Sequence, residues 1–119
     1  MPFLRTFLLF FGVLATAAVP GIAPLGFDFT GPTNRIITPN GDTFNDGITF
    51  RFTNPRDSSG RIRIYDLRGR EVLSLGIEVG DTFKTWDARA NGQTVNAGVY
   101  IYVLSIEQRT YSGAVLVVR

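Results

Sequence analysis

Asp42, Asn45 and Asp46 fall close together in the segment Asn40-Gly41-Asp42-Thr43-Phe44-Asn45-Asp46-Gly47. Carboxylate, amide and backbone oxygens gathered in this way suit calcium, a hard cation. The spacing is not that of an EF-hand loop, which needs a longer register and a terminal Glu. Three readings stay open for the segment: an Asx-rich turn closed by its own side chains, a calcium site, or a contact for a partner. Acid–base chemistry would have to rest on paired carboxylates, Asp42 with Asp46 or Asp66 with Asp87, as glycoside hydrolysis does when burial raises one of two carboxyl groups. The chain has no histidine and no cysteine. The usual base at neutral pH, the Ser-His-Asp relay, a thiolate nucleophile and most transition-metal sites are therefore unavailable. Lys84 is the only lysine. No enzyme is expected, and no cofactor beyond that calcium.

The charge pattern excludes another class. The formal charge of +2 is spread along the chain, with basic residues often beside acids. Arg61, Arg63, Arg68 and Arg70 form the densest group, and they suit the exposed face and turn of a hairpin better than the arginine stripe with interleaved aromatics of a nucleic-acid binder.

The N-terminus reads as an export signal. Arg5 precedes an apolar run from Phe7 to Ala18, and Ala15-Thr16-Ala17 offers small residues for a peptidase before Pro20. Cleavage is expected after Ala17, giving a signal peptide over 1–17. The run is shorter than the ~20 apolar residues that cross a bilayer, so no stable membrane span is expected after cleavage. Residues 18–33, rich in Gly and Pro without periodicity, read as an irregular lead.

Residues 34–119 then read as one domain. Short β-branched and aromatic runs alternate with Gly, Asn, Asp and Pro clusters, and no window has a helical period. Strands are expected near 35–38, 48–53, 61–67, 71–75, 82–86, 99–106 and 111–118. About seven such strands suit an all-β, immunoglobulin-like antiparallel β-sandwich. Leu67-Arg68-Gly69-Arg70 and Asn91-Gly92 should be sharp reversals. The polar loop from Asn54 to Gly60 reads as a plain connector. In Arg61-Ile62-Arg63-Ile64 the isoleucines should face inward. The run from Val99 to Leu104 is apolar throughout, so it should be a central strand with both faces covered, or one whose tyrosine hydroxyls reach the rim. Trp86 should seal one end of the sandwich. As an alternative, Trp86, Tyr100, Tyr102 and Tyr111 would be stacking platforms of a carbohydrate-binding module.

The order of pieces, with Pro39-Asn40-Gly41-Asp42, Asn45-Asp46, Tyr65-Asp66-Leu67-Arg68-Gly69-Arg70, Trp86-Asp87 and Gly98-Val99-Tyr100 following one another, resembles a known family. It is similar to the gliding-motility-associated C-terminal modules, the type IX secretion sorting domains of Bacteroidota, related in turn to the Ig-like domain of flagellar hook-capping proteins. The likeness spans roughly 35–119. It implies a secreted, non-catalytic module for sorting, cell-surface anchoring or protein attachment, whose partner is a protein of a secretion or cell-surface system. The motif residues would then be scaffold. Localisation would be periplasm, cell surface or medium. In the family such a module follows a long cargo, whereas here a signal and a short lead precede it, which fits a small secreted protein, a piece of a longer chain, or a docking module. A hook-capping-like structural domain fits the signal peptide less well, because those proteins leave through the flagellar apparatus.

Overall fold

A computed structural model describes residues 26–119. The signal-peptide reading of 1–17 and most of the lead lie outside the described residues. Among those residues the chain is all-β, with ten strands: β1 (Asp28–Pro32), β2 (Ile36–Ile37), β3 (Ile48–Thr53), β4 (Gly60–Asp66), β5 (Glu71–Ile77), β6 (Phe83–Trp86), β7 (Arg89–Ala90), β8 (Gln93–Thr94), β9 (Gly98–Ile106) and β10 (Arg109–Val117). They form a three-stranded sheet in the order β1-β3-β6, a five-stranded sheet in the order β2-β10-β9-β4-β5, and a small β7-β8 hairpin.

The two larger sheets share one core. Ile48, Phe50, Phe52 and Trp86 from the smaller sheet meet Ile62, Ile64, Tyr100, Tyr102, Leu104, Ile106, Val115 and Val117 from the larger. The Phe50 and Tyr102 rings lie 5.0 Å apart and the Trp86 and Tyr100 rings 5.5 Å, the second pair edge-on, within the range aromatic pairs favour. Every described strand expected from alternation is present, because period-2 patterning puts one set of side chains on each face. In β9 the burial alternates strictly, with Tyr100, Tyr102, Leu104 and Ile106 inside.

Four expectations need correcting. Residues 18–33 are not irregular to their end, since Asp28–Pro32 pairs with β3. The Gly and Pro in that strand hide it, but Phe27 is buried against Phe52 and Tyr111. The sheets are not wholly antiparallel, because after the crossover at Thr33–Arg35 the chain lays β2 parallel to the end of β10. Only the inner face of β9 is covered among the described residues, and Val99 stands 37% exposed on the outer one. The loop after β3 is more than a connector. Asn54 exchanges two hydrogen bonds with the Ser58 backbone, and the Ser58 hydroxyl donates to Glu107 Oε2 at 2.6 Å.

Glu107 fastens one end of the sandwich. Its other oxygen accepts the Phe27 N–H at 3.0 Å, while Arg109 donates to the Phe27 carbonyl at 3.2 Å. Glu107 and Gln108 form the β9–β10 turn with φ of 52° and 62°, a left-handed pair that costs a non-glycine residue energy but turns the carboxylate toward β1. Further along β10, Gly113 lies directly opposite Tyr102, and the ring covers it so closely that an added Cβ would come 2.7 Å from ring carbons.

Two results are expected. Gly113→Ala should destabilise by about 1–3 kcal/mol through overpacking, read as a lower midpoint in urea. The acid dependence should point to Glu107, whose carboxyl is held below its ordinary 4.5 first by the Ser58 hydroxyl and then by the Phe27 N–H. A depressed carboxyl stabilises the fold above its unfolded value, and that stability is lost as pH falls through the folded one. Tm should therefore fall below about pH 4.5, and Glu107→Gln should flatten the fall.

Candidate functional site

The motif residues lie at one end of the sandwich. Ile48, just after the Asn40–Gly47 loop, pairs with Trp86; Asp66 pairs with Tyr100; Gly98 pairs with Val117, which pairs with Ile37. Segments far apart in sequence thus meet where β3, β9 and β2's continuation begin or end.

The Pro39–Gly47 loop is closed by its own acids. One Asp46 oxygen accepts the N–H groups of Asn40 and Gly41 at 3.2 and 3.1 Å, and the other accepts that of Thr43 at 2.7 Å. Asn40 Oδ1 caps the Asp42 N–H, and Asp42 Oδ1 caps that of Phe44 at 2.9 Å. The Asn45 carbonyl accepts the Thr38 N–H at 2.7 Å. Gly41, Thr43 and Asn45 have positive φ, which the carboxylate clasp holds in place. Asp42, Asn45 and Asp46 do share one loop, but both carboxylates face backbone donors. Among the described residues no group of three acidic, His or Cys side chains is placed to hold an ion.

Asp66 repeats the device. Its Oδ1 accepts the N–H groups of Arg68 and Arg70, and its Oδ2 accepts Arg70 Nε at 3.0 Å. Gly69, at φ 84°, lets the chain reverse. These bonds, that from the Arg70 N–H foremost, hold the carboxyl below its ordinary 3.8. Asp87 accepts the Arg89 N–H at 3.1 Å. Each carboxylate of the two candidate catalytic pairs is thus engaged in its own turn.

Trp86 is 1% exposed and its Nε1–H donates to the Arg89 carbonyl at 3.0 Å. Between them Ala88, fully buried, takes a left-handed φ of 62°. Tyr100 points inward from the start of β9 and its hydroxyl donates to the Asn96 carbonyl at 2.6 Å. Burial, with the Asp66 charge second, pushes that phenol above its ordinary value. Trp86, Tyr100 and Tyr102 have their rings in the core, and Tyr111 is partly buried against Phe27 and Phe29, so three of the four rings are turned away from solvent. A shallow groove of about 530 Å³ remains between the Asp66–Arg70 turn and the segment 93–98.

Beside this end, a strip of the outer face of the larger sheet is apolar, while Arg61, Arg63, Ser105 and Ser112 make the rest of that face polar. Ile36, Leu116 and Val99 lie side by side across β2, β10 and β9, at 48%, 39% and 37% exposure. Ala114 opposite Ile101, and Tyr65 beyond it, continue the strip. The unbroken apolar run of β9 was the sequence signal for it.

Two substitutions test the motif end. Tyr100→Phe leaves the Asn96 carbonyl without its donor and should cost about 1–3 kcal/mol, read as a lower Tm. Asp46→Ala removes the acceptor of the Gly41 and Thr43 N–H groups and one of the two acceptors of the Asn40 N–H, and faster amide exchange should be confined to 40–46.

A model of the CHU_C type IX secretion signal domain matches residues 31–117. A comparison with the curated proteins finds no match. Among solved structures, the crystal structure of dimeric latent PorU from Porphyromonas gingivalis is similar over 84% of this chain and 10% of that one, with 24% identity and a TM-score of 0.54. At that identity the likeness concerns the fold, and the chain spans about a tenth of the PorU chain. With the family model covering most of its length, the chain belongs to the CHU_C type IX secretion signal domain family.

Proposed function

We propose that this chain is a non-catalytic, exported module of immunoglobulin-like build, read by a protein partner of a type IX secretion machinery and serving to sort or hold its bearer at the cell surface. The family match over 31–117 is the observation that carries this reading. The strand orders support the Ig-like part. One sheet takes the first, third and sixth strands, the other joins the tenth, ninth, fourth and fifth, as in sandwiches of that class. Tyr100, near the start of β9 with its hydroxyl returned to Asn96, corresponds to the tyrosine corner of such domains. The surface offered to the partner is the apolar strip of Ile36, Leu116 and Val99, since a solvent-facing sheet surface is otherwise polar.

Placed behind a signal-bearing reporter in a cell with a type IX system, residues 26–119 should carry the reporter to the surface or the medium. Retention in the periplasm would refute sorting. Leu116→Glu should lower export at least about fivefold while stability stays within about 0.5 kcal/mol, as expected of a surface change. Unchanged export would remove the strip from the recognition surface.

A further inference from the structure

The residues that close the turns at the motif end also frame the groove of about 530 Å³ beside them. One wall is the turn from Asp66 to Arg70, the other is the segment from Gln93 to Gly98, and Tyr100, paired with Asp66, joins them. Both walls are held by the domain's own bonds. Asp66 accepts the N–H groups of Arg68 and Arg70, and the Gly69 N–H donates to the Asp66 carbonyl. Across the groove the Val95 N–H donates to the Ala88 carbonyl, and the Asn96 carbonyl accepts the Tyr100 hydroxyl. A surface fixed beforehand lowers the ordering cost of binding.

The groove has positive charge to spare. Its charged lining residues are Asp66, Arg68 and Arg70. Asp66 takes Arg70 through Nε, at 3.0 Å. That contact braces the guanidinium and leaves its Nη groups, on a side chain 72% exposed, without a partner among the described residues. Arg68 has no ion pair among the described residues. Of the acids nearby in sequence, Glu71 is turned to Arg63 and Asp87 to the Arg89 N–H, and neither lines the groove. One unpaired guanidinium and a second already oriented suit carboxylates.

The rest of the lining suits a polypeptide. Gln93 and Asn96 are exposed, and their amides can both donate and accept, as a peptide backbone requires. Leu67 is exposed on one wall and Val99 at the end of the other, offering apolar contacts. Tyr100, the aromatic residue of the lining, is buried, so a sugar finds no ring there to stack on. Val99 also belongs to the apolar strip, so the groove opens onto the surface offered to the partner.

We infer that this groove takes an extended acidic segment of the protein partner. Carboxylates of the segment meet Arg68 and Arg70, its backbone meets Gln93 and Asn96, and an apolar side chain sits against Leu67 and Val99. The inference rests on the reading that a protein recognises this chain.

The probe is the peptide acetyl-Gly-Val-Glu-Val-Glu-Gly-amide, titrated into the isotope-labelled full chain and followed by amide NMR shifts. Exposed ion pairs are weak, so a Kd of about 0.1–1 mM is expected, with shifts confined to 66–70 and 93–99. Replacing both Glu of the peptide by Gln should weaken binding at least about fivefold, as should Arg68→Glu in the domain, whereas Arg68→Lys should stay within about threefold. The absence of a saturable shift up to about 5 mM peptide overturns the inference. So does a Gln peptide that binds equally well, or inorganic phosphate that gives the same shifts at equal concentration, which would make the groove a simple anion site. The export assay separates this claim from the secretion reading. A wild-type reporter kept in the periplasm refutes that reading and leaves the titration to decide the groove. With the wild type exported, Arg68→Glu should lower export at least about fivefold, and equal export of the two refutes the groove as the partner's site.

Discussion

The double-sided pairing of β9 is the constraint on which the rest of the structure depends. All nine of its residues have cross-strand partners on β10, and seven have them on β4 as well. Once both neighbours are in register, the period of two leaves no choice about faces. Tyr100, Tyr102, Leu104 and Ile106 must point into the sandwich, and Val99, Ile101 and Val103 must point out. The core and the apolar outer strip are therefore two consequences of one strand. A slip by one residue would bring out the tyrosines and bury the valines. Two features oppose such a slip: the Tyr102 ring over Gly113, and the Tyr100 hydroxyl bonded to Asn96.

What could be read from the sequence follows from how local each cause is. Alternation and short β-branched or aromatic runs are local signals, so β3, β4, β5, β9 and β10 were legible almost to their ends, though the unbroken apolar run of β9 hid which of its faces is the inner one. The Gly69 and Asn91-Gly92 turns were legible because positive φ leaves few residue choices. β1 was not, since Gly31 and Pro32 are poor strand residues and it is Phe27 and Phe29, packing against Tyr111 and Tyr102, that hold it. The role of Glu107 was equally hidden. Its partners Phe27 and Ser58 are distant in sequence, and only the turn between β9 and β10 brings its carboxylate to both.

At the motif end the residues were legible and their grouping was not. The Asx segment announced a turn rich in acceptors, but whether its oxygens would face a cation or the backbone depends on where the N–H groups of Asn40, Gly41 and Thr43 point. Trp86 was readable as core from its size and singularity. That it also anchors the chain reversal at Ala88 requires the indole N–H to find the Arg89 carbonyl, a contact with no sequence signature.

The same geometry explains how a small domain without cysteine holds its loops. Asp46, Asp66, Asp81, Asp87 and Glu107 each accept at least one backbone N–H across a turn or between segments. Hydrogen bonds to an ionised carboxylate are about twice as strong as neutral ones, and they satisfy donors that a reversal leaves without sheet partners. Such clasps need no oxidising compartment, so the fold is available on either side of an export step. They also engage the side chains from which acid–base chemistry would otherwise be built. In this domain the carboxylates are the fasteners.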